Sequence, residues 1–113
     1  MTKWIKTDKH QWLRETGDGY EMCQIVSFGY LEQCPFFISS GTFSIKDFDK
    51  EDIAHAMKSF GYESIDELNR IYGDHAERIL AECLFECNMA DFDVESFDTL
   101  DEAMDYANKL MAD

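Results

Sequence analysis

The sequence predicts an α+β fold in a single domain over residues 1–113. Before residue 46, apolar and polar residues alternate with a period of two, which is typical of strands. After residue 46, apolar residues recur with the period of helices. A hydrophobic content of 45% with a single proline gives enough apolar material for one modest core. We therefore predict an N-terminal antiparallel meander of three to four strands with four helices packed on one side, in the order βββαααβα.

The N-terminal part, residues 1–45, is predicted to be rich in strands. Segment 20–28 contains β-branched and aromatic residues at period two and follows a turn signal at residues 17–19. Pro35 suits the start or the edge of a strand, where a missing amide donor matters least. A Ser-Gly pair at 40–41 predicts a hinge. The predicted strands are 11–16, or 4–7 in its place, then 20–28, 35–39 and 42–45.

The C-terminal part, residues 46–113, is predicted to be rich in helices and strongly acidic. Asp49 can cap the first helix, and Gly61 is its expected end. Two further helices open with a capping box, in which Ser or Thr is followed three residues later by Glu. The third helix is expected to begin at Asp74 and is apolar on two sides, which predicts that it lies between other elements. The capping boxes pair Ser64 with Glu67 and Thr99 with Glu102.

Segment 91–95 predicts one more strand between the third and fourth helices, because acidic and apolar residues alternate along it. Phe92 and Val94 are expected on its inner face, while its outer face carries only carboxylates. Outward charge discourages unwanted strand pairing. We therefore predict an edge strand.

The net charge of −14 is concentrated in the C-terminal part. Residues 1–45 hold five acids and four bases, whereas residues 46–113 hold 19 acids and six bases. Residues 79–108 contain nine acids and neither Lys nor Arg. A surface of this sign repels nucleic acid and anionic membranes and attracts basic protein surfaces. The predicted partner-binding residues are Asp91, Asp93, Glu95, Asp98, Asp101, Glu102 and Asp105.

Two functional hypotheses follow from this distribution of charge. In the first, the acids imitate the charge of nucleic acid and dock onto a basic groove of a nucleic-acid-binding protein. In size and charge the chain resembles small acidic proteins of phages and mobile elements that inhibit restriction or CRISPR effectors. In the second, the acids are solvated faces of an interaction domain. Recognition then uses aromatic side chains such as Trp4, Trp12, Tyr30 and Phe85.

Metal binding is a lesser alternative with two possible ligand sets. Four cysteines could bind zinc, but structural zinc sites usually take their pairs from short Cys-x2-4-Cys turns, whereas Cys83 and Cys87 fall within the apolar stripe of a predicted helix. Residues 91–102 match part of a calcium-loop template, although Ser96 stands where the loop requires Gly. The calcium set is Asp91, Asp93, Glu95, Thr99 and Glu102, and the zinc set is Cys23, Cys34, Cys83 and Cys87.

Catalysis is not expected, since none of the three histidines is positioned by the sequence to activate a nucleophile. The chain contains no nucleophile-elbow, zinc-protease, phosphate-loop or dinucleotide motif. We therefore expect a protein without a cofactor. No segment has the length and apolarity of a membrane span or a signal peptide, so we expect a cytoplasmic location.

Overall fold

A computed structural model describes residues 3–27 and 35–112 of the chain. Within these residues, five strands form one antiparallel sheet, in which spatial order follows sequence order from β1 at one edge to β5 at the other. The predicted α+β class is confirmed. The strands are β1 (Ile5–Asp8), β2 (Gln11–Glu15), β3 (Tyr20–Ser27), β4 (Phe36–Phe43) and β5 (Asp93–Phe97).

The order of elements differs from the predicted βββαααβα, because four strands precede the helices. The two alternatives for the first strand, 11–16 and 4–7, are both strands and pair with each other as β2 and β1. Conversely, the predicted strands 35–39 and 42–45 are largely one strand, β4, which runs through the expected hinge at 40–41. The end of the predicted strand 20–28 lies outside the described residues.

The α-helices are α1 (Lys50–Ser59), α2 (Ile65–Tyr72), α3 (Ala76–Cys87) and α4 (Leu100–Met111). The Asp49 carboxylate accepts a hydrogen bond from the Asp52 amide at 2.8 Å, as the predicted N-cap requires. Gly61 follows α1 with a φ of +83°, as the predicted helix end requires. The third helix begins at Ala76, not at Asp74, because a 3-10 turn precedes it. Within the described residues, every helix is too short or too polar to cross a membrane.

The chain divides into two compact units. The sheet unit comprises the residues up to Thr42 and those from Ala90 onward, and the helical unit is Phe43–Met89. In the sheet unit, α4 packs on one face of the sheet. Its buried residues, Ala103 and Ala107, form a core with Cys23, Ile25 and Ile38.

The helical unit has a core of its own, built by α1, α2 and α3 around Met57, Leu68 and Leu84. That all four helices pack on one side of the sheet stays a prediction. Only α4 joins the core beneath the sheet in its unit, while α1–α3 pack against one another. That the chain folds as a single domain stays a prediction.

Helix α3 is buried on two sides, as its two-sided apolar pattern predicted. Leu80 and Leu84 face the core shared with α1 and α2. On the opposite side, Ala81 and Phe85 are both 0% exposed. The Phe43 ring stacks on the Phe85 ring with 6.2 Å between their centroids. Phe85 is therefore a central part of the packing around α3.

Candidate protein-binding surface

The acidic segment that follows the helical unit forms one edge of the sheet. Strand β5 pairs with β4 and lies last in the sheet, which confirms the predicted edge strand. In this register Asp93 lies opposite Ser40 and Glu95 opposite Ile38. Ile38 belongs to the core beneath α4, and residues directly opposite each other in a sheet share a face. The Asp93 and Glu95 side chains therefore lie on the face that α4 covers.

The predicted inner face of β5 is only half correct. Val94 is 48% exposed, although its position between two acids predicted burial. It lies opposite Ser39, on the face of the sheet away from α4. An edge strand has no neighbour on its outer side, so its side chains are less covered than those of central strands.

Phe92 is half-buried, in agreement with its predicted inner position. Its ring lies on the backbone of Gly41 in β4, so that a Cβ atom placed at Gly41 would come within 2.5 Å of the Phe92 Cδ1 atom. Glycine inside a strand commonly marks such a close approach. The Gly41–Phe92 contact anchors the start of the acidic strand to the sheet.

Helix α4 carries the second row of acids. The Thr99 hydroxyl accepts a hydrogen bond from the Glu102 amide at 3.2 Å, which fixes the start of the helix. Because Ala103 and Ala107 face the sheet, the ~100° step per residue turns Asp101 and Asp105 away from it.

The Tyr106 ring tells which side of α4 lies next to β5. Its centroid is 5.1 Å from that of Phe97 in β5. Residues four apart share a side of a helix, so Glu102 lies on the same side as Tyr106 and close to the acidic strand. The first turns of α4 thus continue the negative charge of β5.

All seven predicted partner-binding residues are exposed and belong to the sheet unit. Within the described residues, Asp93, Glu95 and Asp105 form no ion pair that would neutralise them. Lys109 is the first base after this series. We name the set the acidic edge, and it consists of Asp91, Asp93, Glu95, Asp98, Asp101, Glu102 and Asp105.

The metal alternatives find little support in the described geometry. Residues 93–97 of the calcium template form a hydrogen-bonded strand instead of a curled loop. Among residues 3–27 and 35–112, no three His, Cys, Asp or Glu side chains come together as a metal site would require. Cys34, a member of the zinc set, lies outside the described residues.

Two of the cysteines are buried thiols. Burial, followed by the nearby Glu21 carboxylate, raises the pKa of Cys23 from 9.0 to about 11. Burial, followed by Cys87, raises the pKa of Cys83 to about 11 as well. The thiolate is the form that binds metal, so these protonated thiols behave as core residues near neutral pH.

These thiols predict a loss of stability at alkaline pH. An acid whose pKa is raised by folding stabilises the protein fully below its unfolded pKa, here about 9, and this contribution disappears as the pH rises through about 11. Each thiol contributes about 2–3 kcal/mol by this mechanism. Urea denaturation across this pH range should show a falling free energy of unfolding, with a smaller fall in Cys23→Ala and in Cys83→Ala. An unchanged pH dependence in both variants would contradict the assignment.

The aromatic residues of the second hypothesis are largely occupied within the fold. Trp4 and Trp12 are half-buried against the core of the sheet unit. Arg14 lies 4.9 Å from the Trp4 ring, and its Nε donates to Glu21 at 2.6 Å. Phe85 is fully buried and cannot contact a partner. Tyr30 lies outside the described residues.

The described surface also contains a basic region that the charge counts over long segments did not reveal. The edge opposite to β5 is basic, with Lys3, Lys6 and Lys9 all exposed on or beside β1. The near-neutral sum over residues 1–45 hides this local excess of lysine. A charge count over residues 3–9 alone would have found it.

The acidic edge is therefore a row of exposed carboxylates held on a sheet edge and on the helix beside it. Comparisons with models of protein families, with curated proteins and with solved structures give no match to this chain.

Proposed function

We propose that the protein binds a basic groove of a nucleic-acid-binding protein through its acidic edge and thereby blocks the groove. The observation that supports this most directly is the position of the acids. Seven exposed carboxylates between residues 91 and 105 belong to one unit and no base interrupts them. Their backbone is fixed by strand pairing and by a helix cap, so the pattern of charge is held in place before a partner arrives.

The spacing of the carboxylates supports imitation of nucleic acid only if both rows take part. Same-face residues of a strand are about 6.8 Å apart, and residues one turn apart on a helix are about 5–6 Å apart along its axis. A single DNA strand carries one charge per about 3.4 Å. Strand β5 alone thus has about half the charge density of one DNA strand. The acids of α4 provide the rest.

Electrostatic attraction sets the expected kinetics. Complementary charge accelerates encounter and raises the association rate constant, and salt suppresses this effect. Between about 0.01 M and about 1 M salt, the Debye length falls from about 30 Å to about 3 Å. Binding should therefore be fast at low salt and largely lost at high salt.

The experiment starts from capture at low salt and elution at high salt, and then tests inhibition directly. Each eluted nucleic-acid-binding protein is purified, and its binding to its own nucleic acid is measured in the presence of this protein. Wild-type protein should compete. The triple variant Asp93→Lys, Asp101→Lys and Asp105→Lys should compete about 100-fold less well, since each exposed ion pair contributes up to about 1 kcal/mol.

A matched control makes the same change in net charge elsewhere. Glu63, Asp66 and Asp74 are exposed acids of the helical unit, and their joint replacement by lysine should leave competition close to wild type. Equal loss in both triple variants would mean that only overall charge matters. Competition that resists high salt and survives the first triple variant would overturn the proposal and favour recognition through other residues.

A further inference from the structure

The two edges of the sheet carry opposite charge. Strand β1, at one edge, has Lys6 within it and Lys3 and Lys9 beside it, with Asp8 as the acid among residues 3–9. Strand β5, at the other edge, carries Asp93 and Glu95. An edge strand presents unpaired backbone N–H and C=O groups to any strand that approaches it. The chain thus has two complementary strand edges.

Each edge also exposes one large aliphatic side chain. Ile5 in β1 is 41% exposed, and Val94 in β5 is 48% exposed. Ile5 lies opposite Leu13 in the register, and Val94 lies opposite Ser39. Both are on the face of the sheet away from α4.

Lys6 in β1 and the two acids in β5 lie on the other face. Lys6 lies opposite Trp12, and Trp12 opposite Cys23, which belongs to the core beneath α4. Asp93 and Glu95 are on this same face, as the pairing of Glu95 with Ile38 shows. Each edge therefore has an aliphatic residue on one face and Lys6 or the two acids on the other, while Asp8, which lies opposite Gln11, shares the face of Ile5.

We propose that β1 of one copy of this chain pairs with β5 of a second copy, so that the sheet continues from one molecule into the next. The pairing is parallel, because successive antiparallel neighbours make β1 and β5 run in the same direction. In this arrangement Ile5 meets Val94 on one face, and Lys6 meets Asp93 and Glu95 on the other. Antiparallel pairing would bring opposite faces together and place Ile5 beside the acids.

Charge also opposes pairing between two like edges. Two β5 strands would bring carboxylates together, and two β1 strands would bring lysines together, both of which are unfavourable. Charged edge strands normally prevent association. In this protein the charges oppose the pairing of two β1 strands or of two β5 strands, but they do not oppose the pairing of β1 with β5. Such a head-to-tail contact does not close on itself by two-fold symmetry, so more than two copies can join.

The test measures the molar mass of the pure protein under reducing conditions by sedimentation velocity. At about 0.15 M salt, where the repulsion between two copies of net charge −14 is screened beyond about 8 Å, the mass should rise with concentration beyond that of a monomer. At about 1 M salt it should stay monomeric, because screening then removes the attraction between the edges as well. Lys6→Glu and Glu95→Lys should each abolish the rise. A mixture of these two variants should again form a complex, because one variant retains β5 and the other retains β1. This complementation also shows that both variants are folded.

Two control variants repeat the changes of charge away from the edges. Lys58→Glu and Glu63→Lys, at exposed positions of the helical unit, should self-associate like wild type. A wild-type protein that is monomeric at every concentration at about 0.15 M salt would overturn the proposal, and so would association of either edge variant alone. The proposed function uses the same acids but a different partner. A strictly monomeric protein that blocks a basic groove would refute self-pairing alone, and self-pairing without inhibition would refute that function alone.

Discussion

Replacing Phe85 by alanine is expected to lower the free energy of unfolding by about 3–5 kcal/mol, the largest effect that we predict for a single substitution. The Phe85 side chain is 0% exposed, and its ring stacks on Phe43. Removing it eliminates the burial of an aromatic ring and leaves a cavity beside α3 that neighbouring side chains fill only in part. Urea denaturation followed by circular dichroism measures the loss.

Phe60 is the matched control for this substitution, because the same residue type there is 46% exposed. Phe60→Ala should change the free energy of unfolding by less than about 1 kcal/mol. The comparison also separates packing from recognition. If Phe85→Ala weakened binding to a partner and left stability unchanged, Phe85 would be a binding residue and the buried position would be wrong.

Replacing Gly41 by alanine is expected to destabilise the protein by about 1–3 kcal/mol, although glycine in a strand usually destabilises it. The new Cβ would lie 2.5 Å from the Phe92 Cδ1 atom and 3.3 Å from its Cγ atom, so the ring has to move. Phe92 directly precedes β5. Its displacement should also weaken any binding that depends on the acidic edge.

Gly17 provides the control, because a Cβ added there meets no atom within 4 Å. Gly17→Ala should leave stability unchanged or raise it slightly, since alanine reduces the freedom of the unfolded chain. A double-mutant cycle isolates the contact. Gly41→Ala should cost less in a Phe92→Ala background than in the wild type, because the clash is gone. Equal costs in the two backgrounds would show that Phe92 is not the cause.

The features that the sequence predicts well are those with a local physical cause. The hydrogen bond between the Asp49 side chain and the Asp52 amide joins residues three apart, and so does that between Thr99 and Glu102. Such contacts form within one turn of a helix, so the residue types around the turn are enough to indicate them. The alternation of residues 91–95 predicted an edge strand for a similar reason.

The features that the sequence did not predict depend on contacts between distant residues. Gly41 and Phe92 are too far apart in sequence for a local pattern to indicate their contact, and Gly41 alone suggested a hinge. The exposure of Val94 depends on its place at the edge of the sheet, which is a property of strand order. The seven acids of the candidate surface were evident from counting. The faces of Asp93 and Glu95 became known only from the register of β5 on β4.

The pairing of Ser40 with Asp93 has a consequence for how the protein can change over evolution. These two residues are 53 positions apart in sequence (93 minus 40) but adjacent across two strands. The chain therefore leaves the sheet and returns to it at nearly the same point. The residues between Ser40 and Asp93 form a loop-like segment whose two ends are adjacent. The position of the acidic strand is set by its pairing with β4 and by the neighbouring Gly41–Phe92 contact. Insertions or deletions in the interior of this segment can be accommodated without shifting the carboxylates along the edge of the sheet.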